Sequence, residues 1–209
     1  MLDLSKKRIR YLGICQNYSQ LYRYSDDKEQ QIVSSGVLNF IWNSWNNFWR
    51  EYWICHISGG IDFSRNKITG IYPEYNDKQC CHFLLFKIGK KKNHNYGDSI
   101  NGSYQEATWG DPQVIQKIAF ELIPTYPQMT TLLGVLSSYQ TEIEHFQKIR
   151  NSFIHLNKDN VDGLSTISGY YIFNTSQRLI DILESQSSIS GSRCFEHLNE
   201  NMKGLLLNI

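Results

Sequence analysis

The sequence predicts an all-α fold, a helical bundle of five to seven helices. Two observations carry this expectation. Apolar residues recur at steps of three and four along most of the chain, and only four prolines (Pro73, Pro112, Pro124 and Pro127) interrupt its 209 residues. Proline ends or kinks helices, so long proline-free stretches leave them room. The length suits one sizeable core, so residues 1–209 are read as a single helical domain, in which residues 1–24 could form an N-terminal arm.

The elements follow in order. From Asp26 to about Ile57 the apolar positions Ile32, Val33, Val37, Phe40, Ile41, Trp45, Phe48, Trp49 and Trp53 trace one amphipathic face. Ser25 or Asp27 would cap this helix, and Gly59-Gly60 would stop it. Its four tryptophans read as core, because large aromatics dominate core burial. Residues 61–73 suit a loop or a small hairpin. A second helix is expected over Glu74–Ile88, followed by a long polar loop at 89–112 that holds four glycines. Asp111-Pro112 reads as an acidic N-cap with proline at the first helical position, opening a helix to about Leu122. After Pro124 and Pro127 a longer helix runs from Thr130 or Ser138 to about Leu156. Asp162–Asn174 fits either helix or an irregular segment. Shorter helices are expected over Ser176–Glu184 and, past the SQSSISGS linker, from Arg193 to about Leu206.

Composition limits the function. Hydrophobic residues make up 41% and charged residues 20% of the chain, as in soluble globular proteins. A net charge of only +1 excludes a bulk polyanion binder, so any nucleic-acid site must come from local clustering. The five cysteines (Cys15, Cys55, Cys80, Cys81, Cys194) are odd in number and lack a CxxC pair, which argues against a disulfide framework and fits a reducing compartment. The charged opening MLDLSKKRIR does not read as a signal peptide, and no run approaches the roughly 18 apolar residues that span a bilayer. A cytoplasmic protein with no membrane partner is expected. No Walker loop, GxGxxG or nucleophile elbow occurs. Cys80-Cys81-His82, Cys55-His56 and Cys194 with His197 lack zinc spacing, so neither a metal nor another cofactor is expected.

The chemistry concentrates at Arg150-Asn151-Ser152-Phe153-Ile154-His155. Arginine offers a permanent charge and a fork of donors that fits phosphate oxygens. Histidine transfers protons near neutrality. On a straight helix Arg150 lies about 20° from Ile143, on the apolar stripe, where an unpaired charge costs several kcal/mol. It must snorkel, pair, or face a cleft or a subunit interface. Asn151 and His155 share one face, but Arg150 and His155 lie about 140° apart. For both to touch one phosphate, the helix must loosen near Leu156-Asn157 or a second subunit must complete the site. Lys90-Lys91-Lys92, with Tyr96 nearby, is the one basic cluster beside an aromatic, and could steer RNA phosphates or simply be a solvated loop.

The segment His145–Asn160, HFQKIRNSFIHLNKDN, resembles the signature helix of the HEPN superfamily, whose ribonuclease branch carries an arginine, four to six residues, then a histidine. Arg150 and His155 match with four residues between them, and Asn151 matches the polar residue that often follows the arginine. The likeness covers about sixteen residues. It implies a metal-independent endoribonuclease, acting on RNA as a toxin or antiphage defence effector, in which a homodimer builds a composite active site from two such helices. A partner antitoxin or defence protein is implied as well. The alternative is a non-catalytic HEPN-like module that binds RNA or protein. Members silenced by nucleotidyltransferase partners often carry a tyrosine two residues after the histidine; here that position is Asn157.

Overall fold

The computed structural model describes residues 1–23, 29–155, 158–172 and 178–209. Among them are eight α-helices and a three-stranded sheet of two-residue strands. In chain order the elements are β1 (Leu2–Asp3), α1 (Leu4–Arg23), α2 (Gln30–Ser58), β2 (Gly60–Ile61), β3 (Lys67–Ile68), α3 (Asp77–Lys87), α4 (Pro112–Leu122), α5 (Met129–Ile154), α6 (Lys158–Asp162), α7 (Leu179–Glu184) and α8 (Cys194–Leu207). The all-α expectation holds, with eight helices among the described residues where five to seven were expected. Two 3-10 turns, Ser103–Gln105 and Gly163–Ile167, complete the regular structure. No helix among the described residues is long and apolar enough to cross a membrane.

The main departure is at the N-terminus, where residues 4–23 form a twenty-residue helix rather than an arm. Its fully buried positions include Leu4, Tyr11 and Cys15, spaced seven and four apart among lysines and arginines. So sparse a stripe is hard to read as amphipathic.

The chain packs as two compact units. One comprises Met1–Tyr11 and Ser44–Ser137, the other Leu12–Asn43 and Ser138–Ile209, so α1, α2 and α5 each contribute to both. In the first unit β1 pairs parallel with β2, and β2 pairs antiparallel with β3 in the register Gly60↔Ile68. Its core is an aromatic ladder on α2. Trp45, Trp49 and Trp53 are fully buried, and their rings follow one another at 5.5 and 5.6 Å. The fourth tryptophan, Trp42, is buried in the second unit, stacked 6.1 Å from Phe146. Ile32 and Phe40, apolar on the same helix, are instead exposed. Trp45 donates its indole N–H to the carbonyl of Gly110 (2.8 Å), fixing the entry to α4. That helix starts at Pro112 with Asp111 as N-cap, accepting from the amides of Gln113 and Val114, as the sequence predicts.

Gly59, at φ +92°, ends α2 in the left-handed conformation that glycine favours. The predicted caps Ser25 and Asp27 lie outside the described residues, as do Asn174, Ser176 and Gln177. The hairpin expectation for 61–73 holds in short form, and the 89–112 loop carries no α-helix or strand between Ile88 and Asp111. In the second unit Ile143, Phe146 and Ile149 of α5 are buried, as are Leu198, Met202 and Leu205 of α8. Antiparallel bridges Tyr171↔Ser187 and Gln186↔Arg193 order the segment before α8. All five cysteines are free and buried.

Candidate functional site

Arg150 and Asn151 lie near the C-terminus of α5, and His155 directly follows its last residue, Ile154. Steps of three and four through Ile143, Phe146, Ile149 and Phe153 seat this helix by its apolar face, and all four are buried. The helical hydrogen-bond pattern persists one residue past the end of the helix, because the His155 amide donates to the Asn151 carbonyl (2.8 Å). Asn160 then donates its side-chain amide to the His155 carbonyl (3.0 Å), satisfying one of the acceptors that a helix leaves open at this end. Ser152, wholly buried, places its hydroxyl 2.9 Å from the Lys148 carbonyl and 2.8 Å from that of Asn160. The turn that presents His155 is therefore held from within.

Arg150 is half-buried. Its Nη1 donates to the Asn151 side-chain oxygen (3.0 Å) and its Nη2 to the side-chain oxygen of Asn39 on α2. Its Nε is buried with no partner. Both partners are neutral amides, and among the described residues no carboxylate pairs with it. Burial pushes the guanidinium pKa down, yet arginine stays charged in proteins. A charge partly removed from water, with an unused donor and no counter-ion among the described residues, will gain from an arriving anion.

His155 is exposed. The helix does not loosen before it, so the divergence expected of a straight helix holds: Arg150 reaches to Asn39, while His155 faces solvent, and no hydrogen bond joins the two. Leu156 and Asn157, where loosening was expected, lie outside the described residues. Asn151 engages Arg150 through its side chain and His155 only through its backbone.

No family model, curated protein or solved structure matches this chain.

Asn39 is the site residue that sequence reasoning missed. It precedes Arg150 by 111 positions and sits beside buried Leu38, so nothing local marks it. His145, on the same helix, is buried against the rings of Tyr170 (4.6 Å) and Tyr171 (5.8 Å). Burial, reinforced by Lys148 and His197, pushes its pKa down to about 4, so it is neutral at pH 7.

The predicted substrate-binding lysines belong to the first unit, whereas Arg150, Asn151 and His155 belong to the second. Lys90 and Lys92 are exposed and Lys91 is half-buried. They follow the C-terminus of α3 through Gly89 (φ +76°), whose amide donates to the Phe86 carbonyl (2.9 Å) while that of Lys90 donates to Leu85 (2.8 Å). This is a Schellman turn, and positive charge just beyond a helix C-terminus is favourable in its own right.

Proposed function

We propose that this protein is a metal-independent endoribonuclease of HEPN type, acting as a toxin or antiphage defence effector. The observation that carries this reading is the half-buried Arg150 guanidinium, held by two amide oxygens and paired with no carboxylate among the described residues. A phosphate would supply the charge it lacks. In this role Arg150 neutralises the charge that grows on the phosphorane oxygens. His155, solvent-reachable on the same helix, serves as general base towards the ribose 2′-OH or as acid towards the leaving 5′-oxygen. Asn151 fixes the orientation of the guanidinium.

Because the two side chains diverge on one helix, the reading requires a homodimer, with Arg150 of one protomer facing His155 of its partner across a composite cleft. The RNA 2′-OH is the nucleophile, so products carry a 2′,3′-cyclic phosphate and DNA of the same sequence resists. An antitoxin or other defence-system protein would hold the activity in check, in the cytoplasm where its RNA substrate lies.

The test is incubation of the purified protein with labelled tRNA and mRNA in the presence of a chelator. Cleavage is expected with cyclic-phosphate ends, and is expected to fall at least about 100-fold in His155→Ala and in Arg150→Ala. Undiminished cutting by His155→Ala, with its fold intact by circular dichroism, would overturn the proposal.

A further inference from the structure

Away from α5, the loop after α3 builds a second constellation inside the first unit. The Schellman turn at Gly89 reverses the chain and lays His94 back against the helix. The His94 ring packs among Phe83, Phe86 and Tyr75, with centroids at 5.2, 6.0 and 5.8 Å. Its Nδ1 lies 3.0 Å from Nδ1 of His82, a buried residue of α3. A tight turn follows, in which the Asp98 amide donates to the Asn95 carbonyl (3.1 Å) and Gly97 takes φ +93°. The Asn95 amide in turn donates to Oδ2 of Asp98 (2.7 Å), which holds the carboxylate beside the two imidazoles. One ligand atom from each of His82, His94 and Asp98 lies within 4.8 Å of the others.

We propose that His82, His94 and Asp98 bind a divalent transition-metal ion of the zinc class through two imidazole Nδ1 atoms and one carboxylate oxygen. Two features favour metal over a plain imidazole pair. The first is spacing: zinc–nitrogen bonds of about 2.0–2.1 Å in a tetrahedron set the nitrogens roughly 3.3 Å apart, so the observed 3.0 Å needs to open by only a few tenths of an ångström. The Asn95 amide occupies Oδ2 of Asp98, which leaves Oδ1 to close the remaining gap. The second is the outer shell. The Tyr75 hydroxyl lies 3.1 Å from Nε2 of His94; with the proton on that nitrogen the hydroxyl accepts it and the Nδ1 lone pair points inward. Metal-ligating histidines are held this way. In that tautomer, and without metal, Nδ1–H of His82 donates to that lone pair. On binding, this proton moves to Nε2 of His82 and the metal takes its place, with no net proton change.

Two imidazoles with one carboxylate select zinc-like ions over magnesium or calcium, which prefer all-oxygen sets. Three protein ligands leave a fourth position for water. The ion would tie the 89–112 loop to α3, joining residues 12 and 16 positions apart that share no recognisable zinc motif. The inference is independent of the ribonuclease reading, and its readout requires no RNA.

The experiment is titration of the chelator-stripped full chain with Co²⁺, followed by visible d–d absorption, and with Zn²⁺ against a chromophoric competitor. One equivalent is expected to bind. His94→Ala and Asp98→Ala should each weaken binding at least about 50-fold, and Tyr75→Phe about 10-fold through the lost outer-shell contact. Both ligand variants fall in the loop, so a folded protein is available even if His82→Ala, on the packed helix, is not. Absence of stoichiometric binding by the wild-type chain, or binding of equal strength by the two loop variants, would overturn the proposal.

Discussion

Arg150 and His56 show how differently two titratable side chains can be accommodated. Among the described residues no carboxylate pairs with Arg150, and its stabilising contacts are two charge-assisted hydrogen bonds to amides, each worth roughly 1.5–3 kcal/mol, set against the desolvation of a charge. Replacing it with methionine removes both sides of that balance. Arg150→Met is therefore expected to unfold within about 1 kcal/mol of wild type in denaturant titration. A loss of several kcal/mol would mark the arginine as a structural post. His56, in contrast, is settled as a neutral group. It is 3% exposed, its Nδ1 donates to the Tyr52 carbonyl (2.9 Å), and burial pushes its pKa down to about 4. The unfolded chain takes up that proton near pH 6.5, well above the folded protein. Stability from this residue is complete above about pH 6.5, falls as pH drops towards 4, and levels below, a loss of up to about 3 kcal/mol. Denaturation midpoints at pH 7.0 and 4.5 should differ less in His56→Gln than in wild type.

Helix ends decide where the functional side chains stand. Asn76 caps α3 by accepting from the amides of Lys78 and Gln79, while Gln79 accepts the Asn76 amide (2.9 Å). Removing one half of this reciprocal cap, Asn76→Ala, should cost about 1 kcal/mol in equilibrium unfolding. A change below a few tenths would show that packing alone fixes the start of α3. The same level explains what could be read in advance. Asp111-Pro112 announces α4 because acidic N-cap and proline at N1 are local requirements of the first turn. The tryptophans of α2 announce their burial because their spacing repeats at the helical period. Leu4–Arg23 stays hidden, since its stripe is too thin to stand out against its lysines and arginines. The Asn39–Arg150 and His82–His94 contacts stay hidden for another reason: they depend on tertiary packing and on a loop reversal, which no window of sequence encodes.

At the scale of the whole molecule, the divergence of Arg150 and His155 becomes a statement about stoichiometry. If each cleft takes its arginine from one protomer and its histidine from the other, a heterodimer of Arg150→Ala and His155→Ala chains holds one intact cleft and one doubly damaged. Equal mixing makes half the dimers mixed, so about a quarter of wild-type cleavage should return from two inactive proteins. No recovery after verified subunit exchange would place both groups on one chain or remove them from the reaction. The five buried cysteines have a different use. Cys55, Cys80 and Cys81 lie in the first unit and Cys15 and Cys194 in the second. Burial raises the thiol pKa to about 11 at Cys55 and about 12 at Cys80 and Cys81. A sulfur that neither ionises nor meets reagent reacts only when its surroundings part. Native protein should thus show no rapidly labelled thiol, and denaturant should release all five. Chains retaining one cysteine at a time would convert labelling rates into breathing frequencies, so each half of the molecule comes supplied with its own clock.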